Sequence, residues 1–184
     1  MIEDILRHNR EFVSSKSYEP YITSKYPDRK LAILTCMDTR LTNMLTAALG
    51  LKNGEAKIIK NAGGLVISPF DSAMRSILLA VYELGVEEVV VIAHSGCGAC
   101  HTNGNEMKRL MTERGISLDT IDTVERCGIS LDTWLEGFHD TEESVRKTVN
   151  VIAHHPLIPK GTVVYGFIID STTGELTEMT EEKA

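Results

Sequence analysis

The sequence predicts an α/β fold: a mostly parallel central sheet flanked by helices, a C-terminal hairpin giving an antiparallel edge strand, and an N-terminal helix arm. Three observations predict it. Leu31–Thr35 and Val89–Ala93 are apolar runs without alternation, the mark of strands that are buried rather than half-exposed. Helical stretches separate the strands, which implies right-handed crossovers and parallel pairing. Thr162–Asp170 reads as one more strand, followed by the turn Ser171–Gly174 and a return segment Glu175–Met179, a hairpin.

Residues 1–15 place Ile2, Ile5, Leu6, Phe12 and Val13 at near-helical spacing, so the chain opens with an amphipathic helix. Pro20 and Pro27 discourage continuous helix through the connector that follows. An arm of this kind packs on its own domain or on a second subunit. After the first strand, Leu41–Leu49 is a short helix closed by Gly50. Ala56–Lys60 is a short strand running into Asn61-Ala62-Gly63-Gly64. Ser68 is the expected N-cap of a long helix, with Pro69 at its first position and Asp71 in its first turn, ending at Leu84 before Gly85.

Residues 104–137 read as two or three short helices, one of them Leu131–Leu135 around Trp134. Asp140 to Glu143 is a capping signal for a helix reaching about His154. No repeat or linker interrupts the chain, so its 184 residues are expected to form one domain, with 1–28 as helix and arm and 29–184 as the α/β core.

Composition narrows the function. The 19 basic and 26 acidic residues give a net charge of −7 without a long basic block, which argues against nucleic acid or anionic membrane as the main partner. No apolar run is long enough to span a membrane, and MIEDILRHNREF lacks an apolar signal-peptide core, so a cytoplasmic location is expected. The four cysteines, Cys36, Cys97, Cys100 and Cys127, are then expected to be reduced thiols rather than disulfides.

The unusual side chains lie at strand exits. Cys36, Asp38 and Arg40 alternate, so an extended chain continued through Arg40 would send all three to one side. Asn61-Ala62-Gly63-Gly64 leaves the second strand and His94-Ser95-Gly96-Cys97 the third. In open parallel sheets, ligands bind beyond such carboxyl ends. His94 and Cys97 at H-x-x-C spacing, joined by Cys36, make a Cys2His set suited to zinc, with the fourth position open as catalytic sites require. Asp38 would accept a hydrogen bond from water at that position and Arg40 would hold Asp38 through a two-pronged pair. The alternative is an ordinary surface ion pair.

Other readings stay open. Cys97-x-x-Cys100 has the spacing of a metal-free redox dithiol at a helix N-terminus. Cys100 could instead be a fourth ligand that closes a zinc scaffold without turnover. His101 could relay a proton from the site or be an exposed loop histidine. Asn61 to Gly64 are expected to allow close backbone approach rather than phosphate binding. Met37 is expected in the core, Trp134 packed in a helical cap, and Cys127 partly buried; His8, His139, His154 and His155 are expected at surfaces or helix ends.

Cys36-Met37-Asp38-Thr39-Arg40 (C-x-D-x-R) followed by His94-Ser95-Gly96-Cys97-Gly98 (H-x-x-C-G) resembles the beta-class carbonic anhydrases, with small bacterial members nearest. Lys60–Gly64 and the closing VVYGFIIDSTTGELTEM also look like the family's second strand and terminal hairpin. The resemblance implies Zn(II) held by Cys36, His94 and Cys97, with Asp38 and Arg40 as the catalytic dyad. It implies a zinc lyase that interconverts carbon dioxide and bicarbonate by a zinc-bound hydroxide. It further implies a homodimer or dimer-based assembly embraced by the N-terminal helix, and an Asp38 that in some members closes onto the metal. Gly96, where small bacterial members often carry Asp, is nearer the plant-type sites. Similar scaffolds hydrolyse carbonyl sulfide or carbon disulfide, so substrate choice rests on pocket shape.

Overall fold

In the computed structural model of the chain, residues 1–184 are all described. The elements run α1 (Ile2–Ser14), β1 (Leu31–Cys36), α2 (Leu41–Ala48), β2 (Ala56–Asn61), α3 (Ser72–Leu84), β3 (Glu88–His94), α4 (Gly104–Glu113), α5 (Leu118–Arg126), α6 (Leu131–Trp134), α7 (Thr141–Ala153), β4 (Val163–Ile169) and β5 (Leu176–Lys183). The strands form one sheet in the order β2-β1-β3-β4-β5. The β1–β2, β1–β3 and β3–β4 pairs are parallel and β5 returns antiparallel along β4. No helix is long and apolar enough to cross a membrane.

One face of the sheet is covered by α3 and α7. Met74 and Ile77 of α3 and Val145, Val149 and Ile152 of α7 pack with Ala32, Leu34, Val89, Val91 and Val164 in a single buried cluster. On the other face α2 sets Leu41 and Leu45 against Ile33, Ile92 and Ile169. This second face is less complete, for Leu31, Val90 and Phe167 stay only half-buried. Along α1 no residue is buried; Ile2, Ile5, Leu6 and Val13 are all at least 50% exposed. The amphipathic reading of α1 therefore holds, and its apolar stripe faces no part of its own chain's core.

Several local expectations need correction. Asp71, not Ser68, caps α3: its side chain accepts from the Met74 N–H at 2.8 Å and from the Ile67 N–H at 2.6 Å. Ser68-Pro69-Phe70 is a turn before the helix, since only a residue directly ahead of the first turn reaches the N3 amide. Strand β5 runs further than Met179 because its pairing with β4 carries polar Glu181 and Glu182 along the edge, where no hydrophobic alternation marks it. Met37 is 65% exposed and Trp134 60%, so neither is core. Cys127 is exposed, closing α5 at the surface. His155 is the reverse case, buried at 4% exposure: its Nε2 pairs with the Pro69 carbonyl and its Nδ1 accepts from the Leu157 N–H, so the polar ring is satisfied inside.

Candidate metal centre

The sheet order makes the site. Chain order reverses between β1 and β3, so the exits of these neighbouring strands open a crevice that βα loops line. Cys36 ends β1, His94 ends β3, and Cys97 lies in the loop three residues on. The donor atoms of Cys36, His94 and Cys97 all lie within 4.8 Å of one another, and all three residues are buried. The two Sγ atoms are 3.7 Å apart. Thr35, fully buried one residue earlier, donates its hydroxyl to the Ile92 carbonyl at 2.8 Å and ties the two strand ends together.

His94 is oriented for a ligand. Its Nδ1 lies 3.0 Å from the Ser95 carbonyl, so the ring proton sits on Nδ1 and Nε2 keeps its lone pair. That Nε2 is buried with no hydrogen-bond partner, a costly state for a polar atom unless a cation takes the lone pair. Burial pushes the Cys97 thiol up, and neighbouring Cys36 adds to this against the N–H groups of Ala99 and Cys100. Two sulfurs and an imidazole so placed can hold a metal ion, which favours the thiolates that burial alone disfavours.

Gly64 is what lets the second strand exit close in. Its φ is +69°, and a Cβ there would lie 2.9 Å from the Cys36 nitrogen and 2.9 Å from the Thr35 carbonyl carbon. Asn61 braces the same turn through both ends of its amide, giving to the Leu65 carbonyl and taking the Leu65 N–H. The expected close backbone approach beside the site is therefore present.

Asp38 and Arg40 meet, though not by strand alternation. Strand β1 stops at Cys36; Thr39 and Arg40 form a turn closed by the Leu41 N–H on the Asp38 carbonyl, and Arg40 has helical backbone (φ −63°, ψ −28°) at the head of α2. The Arg40 N–H and Nε both donate to Asp38 Oδ1 at 2.9 Å, and Nη2 donates to Oδ2 at 2.8 Å. The Arg40 side chain first, then its N–H, hold the Asp38 carboxyl far below the usual carboxylate range. Asp38 Oδ2 lies 3.8 Å from His94 Nε2, alongside the candidate ligands.

Three groups here carry no local sequence signal. Arg40 Nη2 also donates to the Gly96 carbonyl at 2.8 Å, and Nη1 to Ser171 Oγ at 3.0 Å. Ser171 in turn donates its N–H to Ser95 Oγ and its hydroxyl to the Ser95 carbonyl. Gly96 has φ +62°, which aims its carbonyl at the guanidinium. The one hint in the sequence is position: Ser171 follows β4, at the same sheet edge as the other exits.

Cys100 stands outside the trio; its Sγ lies 3.9 Å from the His139 carbonyl. His101 is exposed with a left-handed backbone (φ 65°) and its ring lies near that of His139 rather than in the ligand set. A cleft of about 480 Å³ is lined by Leu65, Val66, Phe138 and His139 among others, and by none of the trio. Phe138 touches both regions, for it lines the cleft and packs on the core cluster holding Cys36 and Cys97.

The family model described as carbonic anhydrase matches residues 31–176, which include every one of these groups. The chain is 51% identical to Bacillus subtilis YvdA over 175 residues, covering 95% of this chain and 89% of that one. It is 33% identical to a carbon disulfide hydrolase of Acidithiobacillus thiooxidans over 168 residues, covering 85% of this chain and 75% of that relative. Among solved structures, a beta-carbonic anhydrase of Trichomonas vaginalis superposes with a TM-score of 0.88 at 33% identity, over 97% of each chain. Fold, crevice and these likenesses agree: the chain belongs to the beta-carbonic anhydrase family.

Proposed function

We propose that this protein is a zinc enzyme catalysing the reversible hydration of carbon dioxide to bicarbonate and a proton, on the centre formed by Cys36, His94 and Cys97. The observation that carries this reading is the partnerless, buried Nε2 of His94 within 4.8 Å of two sulfurs. The donor set suits zinc in kind and in size. Zinc–sulfur bonds of ~2.3 Å at a tetrahedral angle place two sulfurs about 3.8 Å apart, against the 3.7 Å between Cys36 and Cys97. Three protein donors leave one corner for water or substrate, as a catalytic site needs.

Bound zinc supplies Lewis acidity, which makes water at that corner acidic enough to serve as nucleophile near neutral pH. The chain's own residues do the positioning. Asp38, ionised at all working pH values by its pair with Arg40, offers a carboxylate oxygen that accepts the hydrogen of the attacking water and aims its lone pair. Arg40 keeps that carboxylate in one orientation through two parallel bonds. The buried walls around Ile33, Leu41 and Ile92 exclude bulk water from behind the ligands.

A second reading shares the centre. The relative named as a carbon disulfide hydrolase covers most of this chain, so carbon disulfide or carbonyl sulfide is the alternative substrate. Zinc content, carbon dioxide hydration and hydrolysis of both sulfur compounds, measured on one preparation of wild type and Cys36→Ser, separate the readings. One zinc per chain with hydration, both lost in Cys36→Ser, is expected. Hydration absent beside rapid hydrolysis shifts the assignment to the sulfur substrate; a metal-free wild type with reductase activity would return it to the Cys97–Cys100 dithiol.

The same reading includes a homodimer. The largely exposed apolar stripe of α1 and the half-covered sheet face at Leu31, Val90 and Phe167 are surfaces a second copy would bury. Sedimentation of wild type as a dimer, and of the Ile5→Asp/Leu6→Asp variant as a monomer, is the expected outcome.

A further inference from the structure

A second group of side chains of metal-ligating type flanks Phe138. Cys100 and Phe138 form a parallel β-bridge, and the His101 N–H donates to the Phe138 carbonyl at 2.8 Å. This register sets His101 opposite His139, one step further along each segment. Their ring centroids are 5.8 Å apart with planes 33° from parallel. Two imidazoles sharing one ion at metal–nitrogen distances of about 2.0–2.1 Å place their centroids ~5–6 Å apart, so the observed separation matches a shared ion once the two exposed rings turn a nitrogen towards each other.

Two further observations point to a cation here. Glu136 Oε1 stands 3.9 Å from His139 Nε2, a carboxylate within reach of one of the two rings. The adjoining cleft carries Glu136, Asp140 and Glu143 against one lysine, Lys147, so its field attracts positive charge. His101 also holds a left-handed backbone (φ 65°), a conformation few side chains adopt, and the bridge to Phe138 keeps it there. The pair is thus presented by a fixed backbone while the rings remain exposed and free to rotate.

We propose that His101 and His139, aided by Glu136, form a second, surface site for a borderline divalent transition-metal ion, separate from the Cys36–His94–Cys97 set. Imidazole and carboxylate donors without a thiolate suit Ni²⁺ and Zn²⁺ over Mg²⁺ or Ca²⁺. An ion there cross-links the loop after Cys97 to the segment leading into α7. The proposal does not depend on what the buried centre catalyses.

The test titrates Ni²⁺ into the purified protein with its resident metal in place, by calorimetry, and quantifies the resident metal before and after. One Ni²⁺ per chain is expected, with the resident metal retained. His101→Asn, which tolerates a left-handed backbone, and His139→Gln should each weaken binding at least tenfold, and Glu136→Gln severalfold. In the proton NMR spectrum Ni²⁺ should broaden the imidazole signals of His101 and His139 and leave those of His8 and His154 sharp. Wild-type Ni²⁺ affinity in both histidine variants, broadening centred on His8 or His154, or loss of resident metal in step with Ni²⁺ uptake would each overturn the proposal.

Discussion

Ser171 Oγ accepts a hydrogen bond from Arg40 Nη1 at 3.0 Å, joining the exit of β4 to the head of α2 across the candidate metal centre. Arg40 is thereby held from three directions, by Asp38, by the Gly96 carbonyl and by Ser171. Ser171 is itself anchored to Ser95 by two bonds, one through its N–H and one through its hydroxyl. The orientation of Asp38 is therefore set by residues from three strand exits, and each contact can be removed separately.

Ser171→Ala should lower carbon dioxide hydration only severalfold, because Arg40 keeps its bonds to Asp38 and Gly96. Arg40→Lys should lower it by about tenfold or more, since an ammonium cannot bridge both carboxylate oxygens. Metal content should be unchanged in both, as measured by atomic absorption. Equal effects of the two substitutions would remove the two-pronged pair from the account.

Asp38→Asn should retain metal and lose activity by about a hundredfold or more, the scale of a positioned proton acceptor. The amide can turn its N–H₂ towards the attacking water and misalign it. Stopped-flow hydration rates on metal-replete protein check this; a near wild-type rate would show that the carboxylate has no such part.

Gly64→Ala should destabilise the protein by about 2 kcal/mol or more. The left-handed backbone disfavours any Cβ, and the new atom would press on the Cys36 nitrogen, which cannot yield without moving a candidate ligand. Urea unfolding and metal occupancy should fall together. A stability loss with full occupancy would mean that Cys36 is not positioned through this contact.

Asp170 governs part of the acid limb. The N–H groups of Thr173 and Thr172 hold its carboxyl below the usual carboxylate range. A carboxyl depressed in the fold adds stability that is complete above its unfolded value and is lost as pH falls through the folded one. The margin of wild type over Asp170→Asn should be flat at neutral pH and shrink below about pH 4. Denaturant midpoints across that range test it; a margin that widens in acid would be the wrong sign.

Much of this was legible because burial leaves its mark locally. Val89–Ala93 predicts a buried strand since apolar residues on successive positions have no solvent face to occupy, and Val89, Val91 and Ile92 are indeed fully buried. The Asp38–Arg40 pair was legible for a different reason than expected. Their closeness in sequence suffices, while the geometry comes from a turn rather than from a continued strand. Met37 and Trp134 misled because an apolar side chain near a core motif reads the same whether it faces inward or outward.

By itself the sequence determined most of the elements, the parallel order implied by their alternation, and Cys36, His94 and Cys97 as candidate metal donors. Each of these follows from neighbours within a few residues or from the chemistry of single side chains. Only the tertiary structure decided that chain order reverses between β1 and β3, that His94 turns a free Nε2 towards two sulfurs, and that Ser171 reaches Arg40 from 131 positions away. Contacts of that kind depend on how strands are ordered in space, and no local pattern of burial or charge encodes that order.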